Sequence, residues 1–252
     1  MPNILITNDD GIFAPGLRAL DEALEGLGSV SVIAPSQERS ASSQSLTLRR
    51  PIFCEQIRER EWSVEGTPAD AMILAFHALL PERPNLLVSG INRGSNLGEN
   101  VYYSGTIGAA MEGAINRVPS IAVSLASREK DVDFSPAAEF IRRLAPIVLR
   151  EGLPTGVFLN VNVPAIWKGG VRFARQSPKI TRNVLQRGED PRGRTYYWLS
   201  EQRITEDIAA DTDHAAILAG DVSVTPLVID HTDGPSLNHL SHWKRLLEET
   251  QK

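Results

Sequence analysis

A chain of 252 residues, 42% hydrophobic and 23% charged, is long enough to bury one sizeable core, and no stretch approaches the roughly 18 continuous apolar residues of a membrane helix. A net charge of −5 provides no basic stripe to neutralise a polymer of phosphates, so DNA and RNA are not expected partners, and neither is a membrane. No secretion signal precedes the strand-like residues 3–7, and a lone Cys54 excludes an intrachain disulfide framework; together these predict a reducing cytoplasm, with Cys54 as core filler.

Residues 4–7 read as a first strand, and Leu17, Leu20, Leu24 and Leu27 stand at helical spacing within 16–27. A second strand is predicted over 30–34. A serine-rich loop over 35–45 and a hairpin around 52–64 follow, then a helix over 68–80 whose Thr67-Pro68 start suits a cap and first turn. Residues 85–89 are nearly continuously apolar, as in a strand buried on both faces of a parallel sheet, and lead into a polar Gly/Asn loop. A helix over 105–116, a strand over 120–124, a helix over 135–150 and a strand over 156–163 complete an alternation that predicts an α/β fold, a doubly wound, mostly parallel, Rossmann-like sheet.

After Pro164 the rhythm breaks. Strand-like pieces at 170–175 and 195–199, the latter behind the turn-rich 188–193, predict an antiparallel hairpin excursion. A short helix over 211–218, a strand over 222–228 and a helix over 236–249 bring the chain back. The expected division is an α/β core over 1–165 and 220–252 and a hairpin extension over 166–219.

In open α/β sheets ligands bind beyond the carboxyl ends of the strands, so those ends are where chemistry is sought. Asn8-Asp9-Asp10-Gly11 occupies the first. A chain turning at Gly11 can aim both carboxylates at one centre, a hard-oxygen site for a divalent cation, although Asn, Asp and Gly also cluster in ordinary turns. The second end opens into a run of serines that includes Ser40. The third, Ser89-Gly90-Ile91-Asn92-Arg93-Gly94-Ser95-Asn96-Leu97-Gly98, offers the amides of Asn92 and Asn96, able to ligate a metal or donate to a phosphate. Tyr103-Ser104-Gly105-Thr106 then places hydroxyls and free N–H groups at a helix start, which serves equally as an anion site or an ordinary cap.

Carboxylates, hydroxyls, amides and a helix N-terminus at neighbouring strand ends suit metal-assisted hydrolysis of a phosphate ester. His77, His214, His231, His239 and His242 lack zinc spacing and read as structural, with His77 facing its helix's partner. A receiver-like signalling module would need an acceptor aspartate at a later strand end, where Ser89-Gly90-Ile91-Asn92 has no carboxylate. A haloacid-dehalogenase-like phosphatase would need two aspartates separated by one residue. A pure nucleotide-binding regulator is compatible with the motifs.

Ile4-Leu-Ile-Thr-Asn-Asp-Asp-Gly-Ile-Phe-Ala-Pro-Gly16, Glu38-Arg-Ser-Ala-Ser-Ser-Gln-Ser-Leu-Thr47, Gly66-Thr-Pro-Ala-Asp70, Val88-Ser-Gly-Ile-Asn-Arg-Gly-Ser-Asn-Leu-Gly98 and Tyr103-Ser-Gly-Thr106 together resemble the SurE family of survival proteins. The resemblance continues through Asp190-Pro-Arg-Gly193, Tyr197-Trp198, Thr212-Asp213 and Val222-Ser-Val-Thr-Pro-Leu227. It implies a nucleoside-monophosphate phosphatase, a 5'-nucleotidase, sometimes also active on 3'-nucleotides and short polyphosphate. It further implies one divalent cation, Mg2+, Mn2+ or similar, held by Asp9, Asp10, Ser40 and Asn92, with catalysis by Asp9 and Asp10. Substrate contacts fall on Asn8, Asn96, Ser104, Gly105 and Thr106. The segment around 190–199 is implied to be a hairpin exchanged between subunits of a homodimer or homotetramer. Asp221, where relatives carry an aromatic, and His214, where they often carry Phe, depart from the pattern.

Overall fold

The computed structural model describes the chain except residues 128, 130, 205, 207 and 250–252, so the last three residues of the expected core segment lie outside it. Among the described residues, nine strands form one sheet and two more form a separate ribbon. The sheet runs, in spatial order, β3 (Cys54–Arg58), β4 (Glu61–Val64), β2 (Ser29–Pro35), β1 (Asn3–Thr7), β5 (Leu86–Arg93), β6 (Ser120–Ala126), β7 (Val157–Pro164), β11 (Val222–Val228) and β8 (Val171–Phe173). From β4 to β7 neighbouring strands are parallel, while β3 and β11 enter antiparallel at the two sides.

Alternation along the strands explains the two layers of helices. Ile4 and Ile6 of β1 face one side with Leu86 and Val88 of β5, against α1 (Pro15–Leu24) and α4 (Ser135–Glu151). Leu5 and Leu87 face the other side, against α2 (Pro68–Leu74) and α3 (Gly105–Ile115). Strands covered on both faces carry apolar residues without interruption, the pattern of a parallel sheet. The chain winds outward from β1 to β2 and β4, then crosses back to β5 on the opposite side of β1. The carboxyl ends of β1 and β5 therefore flank the topological switch point, where a crevice opens.

Several expectations change. The helix predicted over 68–80 is α-helical only to Leu74 and continues as a π-helical turn, Ala75–Leu79, that leaves His77 exposed instead of facing a partner. Cys54 is exposed as well, because β3 is the outermost strand on its side and Cys54, Glu55 and Gln56 all face solvent. The strand predicted over 85–89 extends to Arg93, so Asn92 sits on β5, paired with Ser124 of β6. The terminal helix is two, α6 (Gly234–Leu240) and α7 (Trp243–Glu249), separated where Ser241 Oγ donates to the Asn238 carbonyl at 2.7 Å.

Of residues 166–219, β8 lies parallel to β11 and α5 (Asp213–Ala219) packs on β7, β8 and β11. What stands outside the sheet is the ribbon of β9 (Thr181–Glu189) and β10 (Thr195–Arg203), whose tip is closed by Asp190 accepting from the Arg192 and Arg194 backbone N–H groups, both at 2.9 Å. Asp221, the departure from the aromatic pattern, pairs with Arg172 at 2.6 Å, and His214 is buried at the start of α5.

The serine-rich loop is held to this frame by Asp70. Its carboxylate accepts from Thr47 N at 2.9 Å, Thr47 Oγ1 at 2.6 Å and Thr67 N at 2.9 Å, while Thr67 Oγ1 caps the Asp70 amide at 3.0 Å. The capping box of α2 and the anchor of the loop are thus one buried side chain. Asp70→Ala should destabilise the fold by about 3 kcal/mol in urea unfolding, because it removes a cap and strands buried donors; a loss within experimental error would remove Asp70 from this role.

Candidate active site

β1 ends at Thr7, and the next residues turn instead of continuing the pleat. Asn8 Nδ2 donates to the Gly11 carbonyl at 2.9 Å, and Gly11 N donates back to Asn8 Oδ1 at 3.2 Å. Gly11 takes φ +105, a conformation that disfavours any side chain. The turn frees Asp9 and Asp10 from the strand's alternation, and both line one cavity of about 690 Å³ at the switch point.

Asp9 is only 6% exposed, and Thr106 Oγ1 donates to its Oδ1 at 2.5 Å. A Cβ on Gly105 would lie 2.8 Å from Asp9 Cβ and 2.6 Å from Ser42 Oγ, so the start of α3 approaches Asp9 as closely as a glycine permits. Burial pushes the Asp9 carboxyl above its usual range despite the Thr106 hydrogen bond. Burial first, and the neighbouring Asp9 charge second, raise Asp10 to about 6. Among the described residues no ion pair ends on either carboxylate.

The loop carrying Ser40 is fastened from several directions. Ser43 N donates to the Tyr103 carbonyl at 3.0 Å, Ser43 Oγ to the Tyr102 carbonyl at 2.8 Å, and Gln44 Nε2 to Glu112 Oε1 at 2.6 Å. Arg39 N donates to the Asp9 carbonyl at 2.7 Å, and Ser40 Oγ donates to Glu38 Oε1 at 2.5 Å. Across the cavity, Asn92 Nδ2 is taken by the Gly94 carbonyl at 2.8 Å, which leaves Oδ1 as its ligating atom. Asn96 is clamped from β6 and β7: its N–H donates to Asn162 Oδ1 at 2.8 Å, its Nδ2 to Ser124 Oγ at 2.9 Å, and its carbonyl accepts from Asn160 Nδ2 at 2.8 Å.

All four residues of the expected metal set, Asp9, Asp10, Ser40 and Asn92, line this single cavity. So do Asn96 and Ser104, the latter also capping α3 by accepting from Ile107 N at 3.2 Å. Asn8 and Thr106 do not line it. Both are fully buried, and their polar atoms serve Gly11 and Asp9. Gly105 contributes close approach, with no side chain to offer. The sequence reading missed Glu38, Arg93, Asn100, Tyr103, Asn183 and Leu199, which also line the cavity. Glu38 lay two residues from Ser40 and was within reach of the motif; Asn183 sits on a strand that had no readable pattern.

The donor set is chemically consistent with a hard cation. It consists of carboxylate, hydroxyl and amide oxygens, the ligands of Mg2+, Mn2+ or Ca2+. Thr7 Oγ1 and Ser89 Oγ, opposite each other at the ends of β1 and β5, and Ser42 Oγ of the adjoining loop are buried without hydrogen-bond partners, although none of the three lines the cavity.

The raised carboxyl values have a sign. Asp10 titrates near 6 in the folded chain against 3.8 when free, so folding favours its protonated form and stability is lost as pH rises through that window. In chelator, Asp10→Asn should therefore gain thermal stability over the unchanged chain as pH goes from about 4 to about 7. A Tm difference that stays flat or reverses would contradict the unbalanced burial.

Comparison with known proteins matches this sequence and architecture. The family model "Survival protein SurE" matches residues 4–185. The 5'-nucleotidase SurE of Desulforudis audaxviator is 47% identical over 249 residues, covering 95% of this chain and 96% of its own. That of Moorella thermoacetica is 47% identical over 238 residues, covering 91% of each. The crystal structure of the SurE protein from Aquifex aeolicus superposes with a TM-score of 0.87 at 38% identity, covering 96% of this chain and all of that one. With a family model across most of its length and relatives aligned nearly end to end, the chain belongs to the SurE family.

Proposed function

We propose that the chain is a divalent-metal-dependent 5'-nucleotidase that hydrolyses nucleoside 5'-monophosphates to nucleoside and phosphate. The carrying observation is that Asp9, Asp10, Ser40 and Asn92 line one cavity, with no ion pair on either carboxylate among the described residues, beside the N-terminus of α3. Relatives bearing the name 5'-nucleotidase SurE align over nearly the whole chain, which supports the reaction class. Held by those four residues, the cation would supply charge that draws in an anionic phosphate and polarises its oxygens.

The chain's own groups do the rest. The Ser104 hydroxyl lines the cavity at the start of α3 and, with the positive end of that helix behind it, would stabilise charge on the phosphoryl oxygens. Thr106 holds Asp9 in one orientation. Asp10, the more open of the pair, would accept the proton of the attacking water. Phosphate release from 5'- and 3'-nucleotides and short polyphosphate, with chelator and with added Mg2+ or Mn2+, tests the reading. Chelator, Asp9→Asn and Asp10→Asn should each lower turnover by at least about a thousandfold with the fold intact by circular dichroism, and near-normal turnover in both variants would sink the site assignment.

The working form we propose is a cytoplasmic homodimer or homotetramer. Tyr197, Trp198 and Leu199 of β10 are all exposed, so both faces of the ribbon carry bare apolar side chains; Trp198 is 67% exposed. Leu237, Leu240, Trp243 and Leu247 are exposed on α6 and α7. Among the described residues no helix is long and apolar enough to cross a membrane. Light scattering should give a mass of two or four chains, falling when Tyr197 and Trp198 are both changed to Ser; a monomer at micromolar concentration would reject the assembly.

A further inference from the structure

The cavity has two unlike halves. One is built from the ends of β1 and β5, the Ser40 loop and the start of α3. The other is closed by Asn183 and Leu199 of the ribbon, a unit that among the described residues has no strand pairing with the main sheet. Something else must hold that wall in place.

Two carboxylates do so. Glu99, in the short helical turn Gly98–Tyr102, accepts from Ile180 N at 2.6 Å, Thr181 N at 2.9 Å and Thr181 Oγ1 at 2.8 Å. Asp213, fully buried at the start of α5, accepts Gly98 N on Oδ2 at 3.0 Å and both Ser177 N (3.0 Å) and Ser177 Oγ (2.6 Å) on Oδ1. Gln176 Nε2 donates to the Gly98 carbonyl at 2.8 Å. Gly98 takes φ +52, and a Cβ there would stand 2.9 Å from Ile180 Cγ2, so the loop meets the ribbon base at backbone distance. This clasp joins the loop that carries Asn96, Asn100 and Ser104 to the first residues of β9, two positions before Asn183.

We infer that the Glu99–Asp213 clasp is a positioning device that fixes Asn183 against the nucleoside end of the cavity, making Asn183 a specificity-determining residue. The inference rests on the phosphate lying at the Asp9–Ser104 end. With phosphate there, the rest of a nucleoside monophosphate extends toward the ribbon wall. An amide offers a donor and an acceptor to a base edge or sugar hydroxyl, and Leu199 and Tyr103 offer apolar surface beside it. The clasp makes no hydrogen bond to Asp9, Asp10 or Thr106, and Asn96 keeps its own clamp from Ser124, Asn160 and Asn162 while Ser104 keeps its bond to Ile107 N, so loosening the clasp leaves the phosphate end in place.

The test separates the two ends. KM for a nucleoside 5'-monophosphate reports the whole cavity, while the inhibition constant of inorganic phosphate reports only the phosphate end. Asn183→Ala and Glu99→Ala should raise KM about tenfold with kcat within about threefold, the pattern of lost ground-state and transition-state binding alike. The phosphate inhibition constant should stay within about twofold, and Glu99→Gln, which keeps one acceptor oxygen, should recover part of the KM. Asn183→Ala changes an exposed side chain, so it stays informative if Glu99→Ala folds poorly; light scattering confirms an unchanged assembly. KM and the phosphate constant rising together, or neither moving in Asn183→Ala, would overturn the inference. A wild-type enzyme that released no phosphate from nucleotides would instead overturn the reading on which it rests.

Discussion

Two adjacent carboxylates sunk at the end of a central strand are the constraint to which the rest of the structure answers. Removing a carboxylate from water is expensive, and two side by side repel as well as desolvate. The chain provides some compensation: a hydroxyl from Thr106 on Asp9 and the positive end of α3 brought close by Gly105. It provides no ion-pair partner among the described residues, and both carboxyls are accordingly pushed upward. Such a site is destabilising for the bare chain and favourable once a cation enters, because ligand binding to the folded form alone shifts the folding equilibrium.

Holding that arrangement requires support out of proportion to its size. The turn is braced internally by Asn8, the Ser40 loop is tied to Asp70, Glu112, Tyr102 and Tyr103, and Asn96 is clamped by Asn160, Asn162 and Ser124. Most of these supports are buried polar groups with satisfied partners, which rigidify more than they stabilise. Gly105 and Gly108 let α3 approach the same loop; a Cβ on Gly108 would fall 2.4 Å from the Ser43 carbonyl oxygen.

How much of this could be read beforehand depended on where each signal resides. β1, β2, β5, β6 and β7 are buried on both faces, so their apolar runs announce them and bring Asp9, Asp10, the serine-rich loop and Asn92 to strand ends, while the choice of Ser40 among the serines comes from the family resemblance alone. β9 went unread because Thr-Arg-Asn-Val-Leu-Gln-Arg-Gly-Glu is mostly exposed and shows neither period. The family resemblance implies substrate contacts at Asn8 and Thr106, and a sequence does not display that their side-chain polar atoms also serve Gly11 and Asp9. Asn160 and Asn162 alternate like any strand pair, yet their partner is Asn96, 64 and 66 residues away.

The same distinction separates the two halves of the cavity. The acidic half is made of residues whose positions follow from strand ends, so it inherits the rigidity of a sheet packed on both faces. The ribbon half reaches the site through side chains that bridge remote segments: Asp213 meets Gly98 across 115 residues and Glu99 meets Thr181 across 82. A wall held by a few hydrogen bonds can shift without disturbing the sheet, whereas the carboxylate pair cannot move without it. Chemistry that needs sub-ångström placement thus falls to the sheet, and discrimination among nucleosides falls to the part of the fold that can vary independently.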